Sequence, residues 1–470
     1  MRLSANATVP FWRRPASAAR SSVALALGVV GLLGALVPYF GLLGILAVVV
    51  AATGTRATDG PTPRFRRGVS LAAAAFGSVA TVLAALVLLL PVASLTRGSS
   101  PRVYSDDGAA YRLEGSLLAG ALYPWAVRRD VARLAFLHPA SGEVRLRVQN
   151  DHDGTDNLDA VNVWIVDHDA ATEILPTSLG ALVGVEDAKG PLRAVDGAGA
   201  DVRAALMAED GAMLTGATIA TPSGDPRQTW TLEFPRPAGP LTRRAIVVLR
   251  ARSTSFAEEA LFRYLATMGQ GMGPLMEWVE TEECTTECPR TLLAEELERL
   301  SIPLLVKVLS GTRVASVHAV APIGPAVVRS FALPIDVPPE GDVVSLRLEA
   351  TPSFWDIDRV ELAEERDPSM PIVPRSLRPR AATLISGPRS DDVLDRITED
   401  DRRRVTLRRG EHVDLRFDAP PQEPGLRRST FVALRGYYRV PIGGRRFVDP
   451  AAVLSHRWGL TSLPRFAGGL

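Results

Sequence analysis

The chain has 470 residues, of which 46% are hydrophobic and 22% charged, and its net charge is only +1. This length gives room for two or three domains, and the composition is that of a protein that buries a sizeable core. The balanced charge excludes the strongly basic surface of a nucleic-acid-binding protein, so we expect no nucleic-acid partner.

Two long stretches near the N-terminus, residues 22–52 and 68–95, are apolar and free of charge. A bilayer core of about 30 Å needs about 20 such residues in a helix, and both stretches are longer. They predict a two-helix transmembrane anchor over 21–96, preceded by a tail over 1–20, and make the lipid bilayer an expected partner. A cleaved signal peptide is the alternative for the first stretch, but that stretch is too long for one and a second follows.

An anchor of two helices places both termini on the same side of the membrane. Arginines flank the helices and fill their connecting loop in nearly equal number: Arg13, Arg14, Arg20, Arg97 and Arg102 outside it, and Arg56, Arg64, Arg66 and Arg67 within it. The positive-inside rule is therefore almost balanced, although the loop is the more compact cluster. We expect the loop in the cytoplasm and the large C-terminal region outside the cytoplasmic membrane.

Beyond a polar linker and an amphipathic connector over 97–140, the hydrophobic periodicity changes to two. Residues 144–148 alternate apolar and polar, residues 161–166 form a second strand-like run, and turn-forming residues lie between them. Short strands with frequent turns predict tandem β-sandwich or jelly-roll-like domains.

Four segments of this region recur further along the chain in the same order. The matched pairs are 158–163 with 357–362, 201–210 with 391–400, 231–237 with 414–420, and 245–250 with 430–435. Collinear matches indicate an internal duplication of a unit of about 100 residues. We therefore predict one β domain over 141–254, a second over 301–445, and a C-terminal tail over 446–470.

Between these domains, apolar residues at helical spacing predict a small helical insert over 255–300. The insert contains the only two cysteines, Cys284 and Cys288. On one helical turn their Cα atoms would lie about 6 Å apart, within reach of a disulfide. A disulfide, two free thiols and a metal site all remain open, although no histidine lies nearby to complete a metal site.

The segment 150–159 concentrates carboxylates around a glycine: Asp151, Asp153, Asp156 and Asp159 surround Gly154. Calcium prefers such oxygen ligands, and these four residues are the candidate metal ligands. The segment lacks the spacing and closing glutamate of an EF-hand, and the matched segment 351–356 has no comparable cluster. A calcium site and a solvated turn are the two interpretations; beyond this we expect no cofactor.

Two aromatic pairs, Phe354 with Trp355 and Tyr437 with Tyr438, lie in the second predicted domain. Aromatic faces stack on sugars and peptides, so these four residues are candidate ligand-binding residues. The alternative interpretation is that they pack in the core of a sandwich.

No motif in the chain indicates a particular reaction. The six histidines lack the HExxH spacing of a zinc site, and neither a GxSxG nucleophile motif nor a P-loop is present. Catalytic residues that meet only in space would escape this search, so the enzyme question stays open, with a non-catalytic role preferred.

Two parts of the chain resemble known bacterial membrane proteins. The anchor is similar to a two-helix module of unknown function, on residues 41–47, the basic loop and 67–72. Residues 110–440 resemble a family of uncharacterised membrane-anchored envelope proteins with tandem β domains. The second resemblance rests on 144–150, 159–161, 166–168, 250–254, 353–360 and 436–438, with Ser253 where the family pattern has asparagine. It implies a common β architecture but no activity.

We therefore expect a membrane-anchored, non-catalytic protein of the bacterial envelope whose β domains bind a protein partner or a glycan. An extracytoplasmic hydrolase of envelope polymers is the alternative, and an accessory subunit of a membrane complex is a third interpretation. A His–carboxylate pair with perturbed protonation in a pocket would favour the hydrolase, and an aromatic groove would favour binding.

Overall fold

The computed structural model describes the β-rich part of the chain, in the ranges 100–137, 142–215, 227–237, 244–267, 303–339, 341–366, 371–386, 392–399, 401 and 403–441. The predicted anchor over 21–96, the cysteine pair Cys284 and Cys288, and the tail over 446–470 lie outside the described residues. Within these ranges, no helix is long and apolar enough to cross a bilayer.

The described residues form many short strands and two α-helices, so the fold is mainly β as predicted. The first half contains β1 (Arg102–Asp106), β2 (Tyr111–Ser116), β3 (Arg128–Arg133), β4 (Glu143–Gln149), β5 (Thr155–His168), β6 (Glu173–Pro176), β7 (Leu182–Lys189), β8 (Arg193–Asp196), β9 (Leu214–Thr215), β10 (Gln228–Pro235), β11 (Arg244–Ser253) and α1 (Ser255–Thr267). The second half contains β12 (Leu304–Ser310), β13 (Arg313–Val320), β14 (Arg329–Asp336), β15 (Val343–Ala350), β16 (Trp355–Glu365), β17 (Arg375–Leu377), β18 (Ala381–Ile385), α2 (Val393–Thr398), β19 (Val405–Leu407), β20 (His412–Asp418) and β21 (Arg427–Arg439).

Of the two predicted connecting segments, the helical insert is confirmed in its first helix and the linker over 97–140 is wrong. Helix α1 coincides with the first helix predicted for the 255–300 insert. The stretch 97–140, expected to be a linker and connector, contains strands β1, β2 and β3 of a sheet core instead.

The first sandwich combines a sheet of order β18-β20-β4-β1-β2 with a sheet of order β17-β5-β21-β3, in which β19 lies beside β5. Its core is built by alternation along the strands. On β4, Val144, Leu146 and Val148 point inward and join apolar residues of β5, β20 and β21 in one cluster. The side chains between them face water, because successive residues of a strand point to opposite faces.

The second sandwich combines a sheet of order β13-β12-β15-β10-β8 with one of order β14-β11-β16-β7-β6, in which β9 lies beside β16. Trp230, Leu232 and Phe234 are buried at alternate positions of β10. Strand β11 is buried on both faces, since consecutive residues along its middle are all inaccessible to solvent. The sheet that contains β11 is therefore covered on both sides.

The two sandwiches have the same strand order when β1–β5 are matched with β12–β16 and β17–β21 with β7–β11. The four sequence matches fall on elements that this comparison pairs: β5 with β16, α2 with a 3-10 helix (Ala204–Leu206), β20 with β10, and β21 with β11. The repetition seen in the sequence is therefore present in the topology.

The halves of the two copies are exchanged, however. Strands β1–β5 pair with β17–β21, and β7–β11 pair with β12–β16. Each of the four sheets contains strands from 141–254 and from 301–445. The strands are thus grouped differently from the two consecutive β domains that we expected, because long-range antiparallel pairing joins segments far apart in the chain.

A buried ion pair occupies the same place in both sandwiches. Asp159 and Asp358 each lie at a β-bulge, where the register with the neighbouring strand shifts by one residue. Arg435 binds Asp159 at 2.7 Å, and Arg250 binds Asp358 at 2.6 Å. Both carboxylates are fully buried, so each arginine neutralises a charge that the core could not otherwise hold.

Candidate functional site

The four candidate calcium ligands are directed to different protein groups. Asp151 accepts from the guanidinium of Arg102 at 2.9 Å, and Asp153 pairs with Arg409. Asp159 is held by Arg435, as described above, and Asp156 lies against a histidine. Among the described residues, no group of three or more acidic, histidine or cysteine side chains is placed to hold a metal ion.

Asn150 binds backbone groups of the turn between β4 and β5 and of the neighbouring strand β19. Asn150 Nδ2 donates to the carbonyl oxygens of Gly154, at 3.0 Å, and Leu407, at 2.9 Å. Asn150 Oδ1 accepts from the His152 amide at 2.8 Å. The turn packs too tightly for a side chain at Gly154, because a Cβ there would lie 1.8 Å from the carbonyl oxygen of Arg439.

His152 and Asp156 form a buried pair inside this turn. The amide of Gly154 donates to His152 Nδ1 at 3.0 Å, which assigns the ring proton to Nε2. Nε2 lies 2.8 Å from Asp156 Oδ1 and donates to it. The ring of Tyr438 packs edge-on against His152, with 6.0 Å between ring centroids.

Burial dominates the electrostatics of this pair. It raises the pKa of Asp156 from 3.8 to about 6, and the His152 hydrogen bond lowers the pKa again only in part. Asp156 Oδ2 is buried and has no hydrogen-bond partner among the described residues. A protonated carboxyl would therefore lose no hydrogen bond at Oδ2, whereas an ionised one leaves charge in a poorly solvated place.

This pair meets only half of the criterion for a hydrolase. It is a His–carboxylate pair in which the pKa of the carboxyl is raised, yet both residues are buried. His152 Nδ1 and Nε2 are both engaged within the turn. The arrangement can hold a turn in place, and it gives a substrate no access to the imidazole.

The four candidate ligand-binding aromatics, Phe354, Trp355, Tyr437 and Tyr438, are all buried. Phe354 packs edge-on against Phe256, and the Arg404 guanidinium lies 4.9 Å from the Tyr437 ring centroid. These four residues therefore pack in the core, as the alternative interpretation predicts, and they present no stacking surface to a ligand.

An exposed apolar surface lies instead on the second sandwich, at the edge strand β13. Cross-strand pairing places Val317 beside Lys307 and Val314 beside Leu309, on the outward face of the sheet. Val314, Val317 and Val343, on the same face, are 46%, 53% and 42% exposed. We call this surface the β13 face and define it by Val314, Val317, Val343 and the half-buried Leu305; Lys307 and Arg347 lie between them on the same face.

A shallow cavity of about 100 Å³ adjoins the β13 face, lined in part by Leu305, Ala319 and Glu349. Glu349 is nearly buried there and accepts from Lys307 at 2.6 Å and Arg227 at 3.4 Å. No aromatic side chain is among the described residues that line this cavity, so it offers no surface on which a sugar ring could stack.

Sequence reasoning did not single out the β13 face or the His152–Asp156 pair. A signal for the first is present: residues 314–320 contain no charged residue, although a strand with one face in water usually alternates with polar residues. No comparable signal marks the pair, because burial of Asp156 follows from how the turn packs.

No protein-family model matches the chain, and no curated protein matches it significantly. Among solved structures, the chain shows a likeness to a rhamnosidase from Novosphingobium sp. PP1Y, with 14% sequence identity and a TM-score of 0.19. The likeness covers 81% of this chain but only 28% of the rhamnosidase. At this score the likeness carries no argument about fold or activity.

Proposed function

We propose that the chain is a membrane-tethered, non-catalytic protein of the bacterial envelope, and that it binds a protein partner through the β13 face. One observation carries this proposal. Three of the nine exposed large apolar side chains of the described region lie on this one face of one sheet. Clustered exposed apolar residues mark interaction sites far more often than scattered ones do.

A protein fits this surface better than a glycan does. Sugars bind by stacking on aromatic rings, but the β13 face offers branched aliphatic side chains. An edge strand also presents unpaired backbone N–H and C=O groups, which a strand from a protein partner can satisfy. A protein partner is therefore better supported than a glycan.

The buried His152–Asp156 pair supports a non-catalytic role. Its ring nitrogens are bound within the turn, and the carboxylate is withdrawn from solvent. A hydrolase would need a general base that a substrate can approach. We infer that the pair holds the β4–β5 turn.

The membrane tether is the second part of the proposal. It rests on the uncharged stretches 22–52 and 68–95, which are long enough to span a bilayer as helices. We propose that the sandwiches lie on the extracytoplasmic side. Protease treatment of intact cells tests this, since sandwiches protected from an external protease would reverse the orientation.

Cross-linking in the native membrane tests the proposed binding. A photoactivatable amino acid replaces Val317 in the full chain, and Leu179, which is 91% exposed in the β6–β7 turn, serves as the matched control. We expect a discrete protein adduct from position 317 and none from position 179. Adducts of equal yield from both positions, or none from either, would remove the basis for a binding surface.

A further inference from the structure

We infer that the protein partner is a second copy of this chain, bound by antiparallel pairing of β13 with β13 of the other copy across a twofold axis at Val317. The inference rests on the proposed function of the β13 face and names its partner. Such pairing would join the two five-stranded sheets that contain β13 into one continuous sheet.

Among the described residues, no strand pairs with the outer edge of β13. Strand β13 is the last strand of its sheet, and the backbone hydrogen bonds described for it are those of its ladder with β12. Residues 314–320 include neither proline nor a charged side chain, the devices by which edge strands usually resist pairing. The ladder with β12 is regular from Ser316 to Val320 and has one irregularity at Ala315, which a twofold axis at Val317 would place opposite Ala319 of the second copy.

The matching edge of the first sandwich is protected. Its strand β2 carries Arg112 and Glu114. Glu114 is buried and accepts hydrogen bonds from the amides of Ala135, at 2.7 Å, and Phe136, at 2.9 Å. These two hydrogen bonds fix the segment after β3 against β2. The two copies of the fold therefore differ at this edge: of β2 and β13, β13 is the strand with exposed apolar side chains.

Strand β13 is complementary to itself in antiparallel orientation. With the axis at Val317, this residue faces its own copy on the outward side, where two apolar side chains pack well. On the other side, Ser316 faces His318 of the second copy. Within one chain, Ser316 Oγ already lies 3.0 Å from His318 Nε2, so the same donor–acceptor chemistry is available between chains.

Charge does not oppose this pairing. Arg313 is the only charged residue of β13 and lies four positions from the axis. Its two copies would be separated by eight residues of strand, about 27 Å at ~3.4 Å per residue. That distance exceeds the screening length of about 8 Å at physiological salt, so the two arginines would hardly repel each other.

The membrane tether favours dimerisation beyond what pairing of the two strand edges contributes alone. An edge of eight residues buries less than the ~800 Å² per partner of an ordinary stable interface. Confinement to one membrane raises the effective concentration of the second copy, as linking two binding modules does. An isologous contact of this kind closes at two copies and leaves no further β13 edge exposed.

Two differently tagged full-length copies, co-expressed and extracted in mild detergent, test the inference by co-purification and light scattering. We expect wild type to elute as a dimer. Val317→Lys and Val317→Asp should each lower co-purification at least about tenfold, because like charges would meet on the axis. Co-expression of one copy carrying each substitution should restore the dimer, since the two charges are then opposite.

Val373→Lys is the matched control, because Val373 is 83% exposed but lies outside the sheets. This variant should remain dimeric. Circular dichroism and thermal unfolding should be unchanged in all variants, since the substituted positions are exposed. A wild-type monomer, a Val317→Lys dimer, or failure of the opposite charges to restore pairing would overturn the inference.

Cross-linking at position 317 separates this inference from the proposed function. An adduct of twice the mass of the chain supports both. An adduct with a different protein overturns the second-copy inference and leaves the binding function intact. Absence of any adduct overturns both.

Discussion

Replacing Asp156 by asparagine tests the claim that burial controls the charge of this carboxylate. The folded-state pKa of Asp156 is raised to about 6, against 3.8 for an unperturbed carboxyl, and burial is the main cause. Each pKa unit corresponds to about 1.4 kcal/mol. Ionisation of Asp156 therefore costs about 3 kcal/mol more in the folded state than in the unfolded state.

The direction of the pH dependence follows from the sign of this shift. Because the folded state holds the proton more tightly than the unfolded state, the stabilisation from Asp156 is complete below pH 3.8 and lost as pH rises through about 6. Asparagine does not titrate in this range, so Asp156→Asn lacks this loss. Between pH 4 and pH 7.5, the free energy of unfolding of wild type should fall relative to the variant by about 2 kcal/mol.

Urea unfolding of the full chain in detergent, followed by tryptophan fluorescence at several pH values, measures this difference. Asparagine keeps an acceptor for His152 Nε2 and places its amide where Oδ2 had no partner, so any constant offset between the two proteins cancels in the comparison. Asp153→Asn, at an exposed ion pair with Arg409, should follow wild type within about 1 kcal/mol at every pH. Parallel stability curves for wild type and Asp156→Asn would refute the reasoning, because they would show that the carboxylate titrates normally.

Three further outcomes follow from the geometry. Gly154→Ala should lower the melting temperature in calorimetry by at least about 5 °C, because its Cβ would collide with the carbonyl oxygen of Arg439; an unchanged value would mean that the turn relaxes freely. Asp358→Ala should lower the free energy of unfolding by about 3 kcal/mol in chemical denaturation, since Arg250 loses its buried carboxylate; a loss below 1 kcal/mol would indicate a solvated pair. Millimolar calcium added to chelator-treated protein should leave the melting temperature unchanged, because three of the four candidate carboxylates are held by arginines, and a rise would restore the calcium interpretation.

The parts of the fold that the sequence predicts are those that depend on neighbouring residues. Val144, Leu146 and Val148 alternate with arginines and become the inward face of β4, because side-chain direction along a strand alternates whatever the strand pairs with. The first helix of the 255–300 insert was likewise visible as apolar residues at helical spacing.

The exchange of halves could not be predicted in the same way. The two copies have similar strands, so β1–β5 carry local patterns that would pair as readily with β7–β11 as with β17–β21. Which pairing wins depends on connection lengths and on packing between distant segments. Hydrophobic periodicity reports neither of these. The consecutive domains expected over 141–254 and 301–445 assumed that the strands of each copy pair with one another.

The same comparison of copies separates residues that hold the fold from residues that act at one place. Asp159 and Asp358 occupy the same bulge and bind an arginine of the same matched strand, so this aspartate serves the sandwich architecture. Asp156 has no such counterpart, since Trp355 precedes Asp358 by the same interval, and its environment belongs to one turn alone.

The two copies also differ at their edge strands β2 and β13. If β2 and β13 had only to end a sheet, both copies would be expected to keep the same protection against pairing. The first sandwich has Arg112 and Glu114 with the segment after β3, whereas the second leaves Val314 and Val317 in water. A structural role shared by both copies cannot account for a feature present in one. We therefore expect a specific partner to bind at the apolar edge of β13, a feature that the matching edge of the first sandwich lacks.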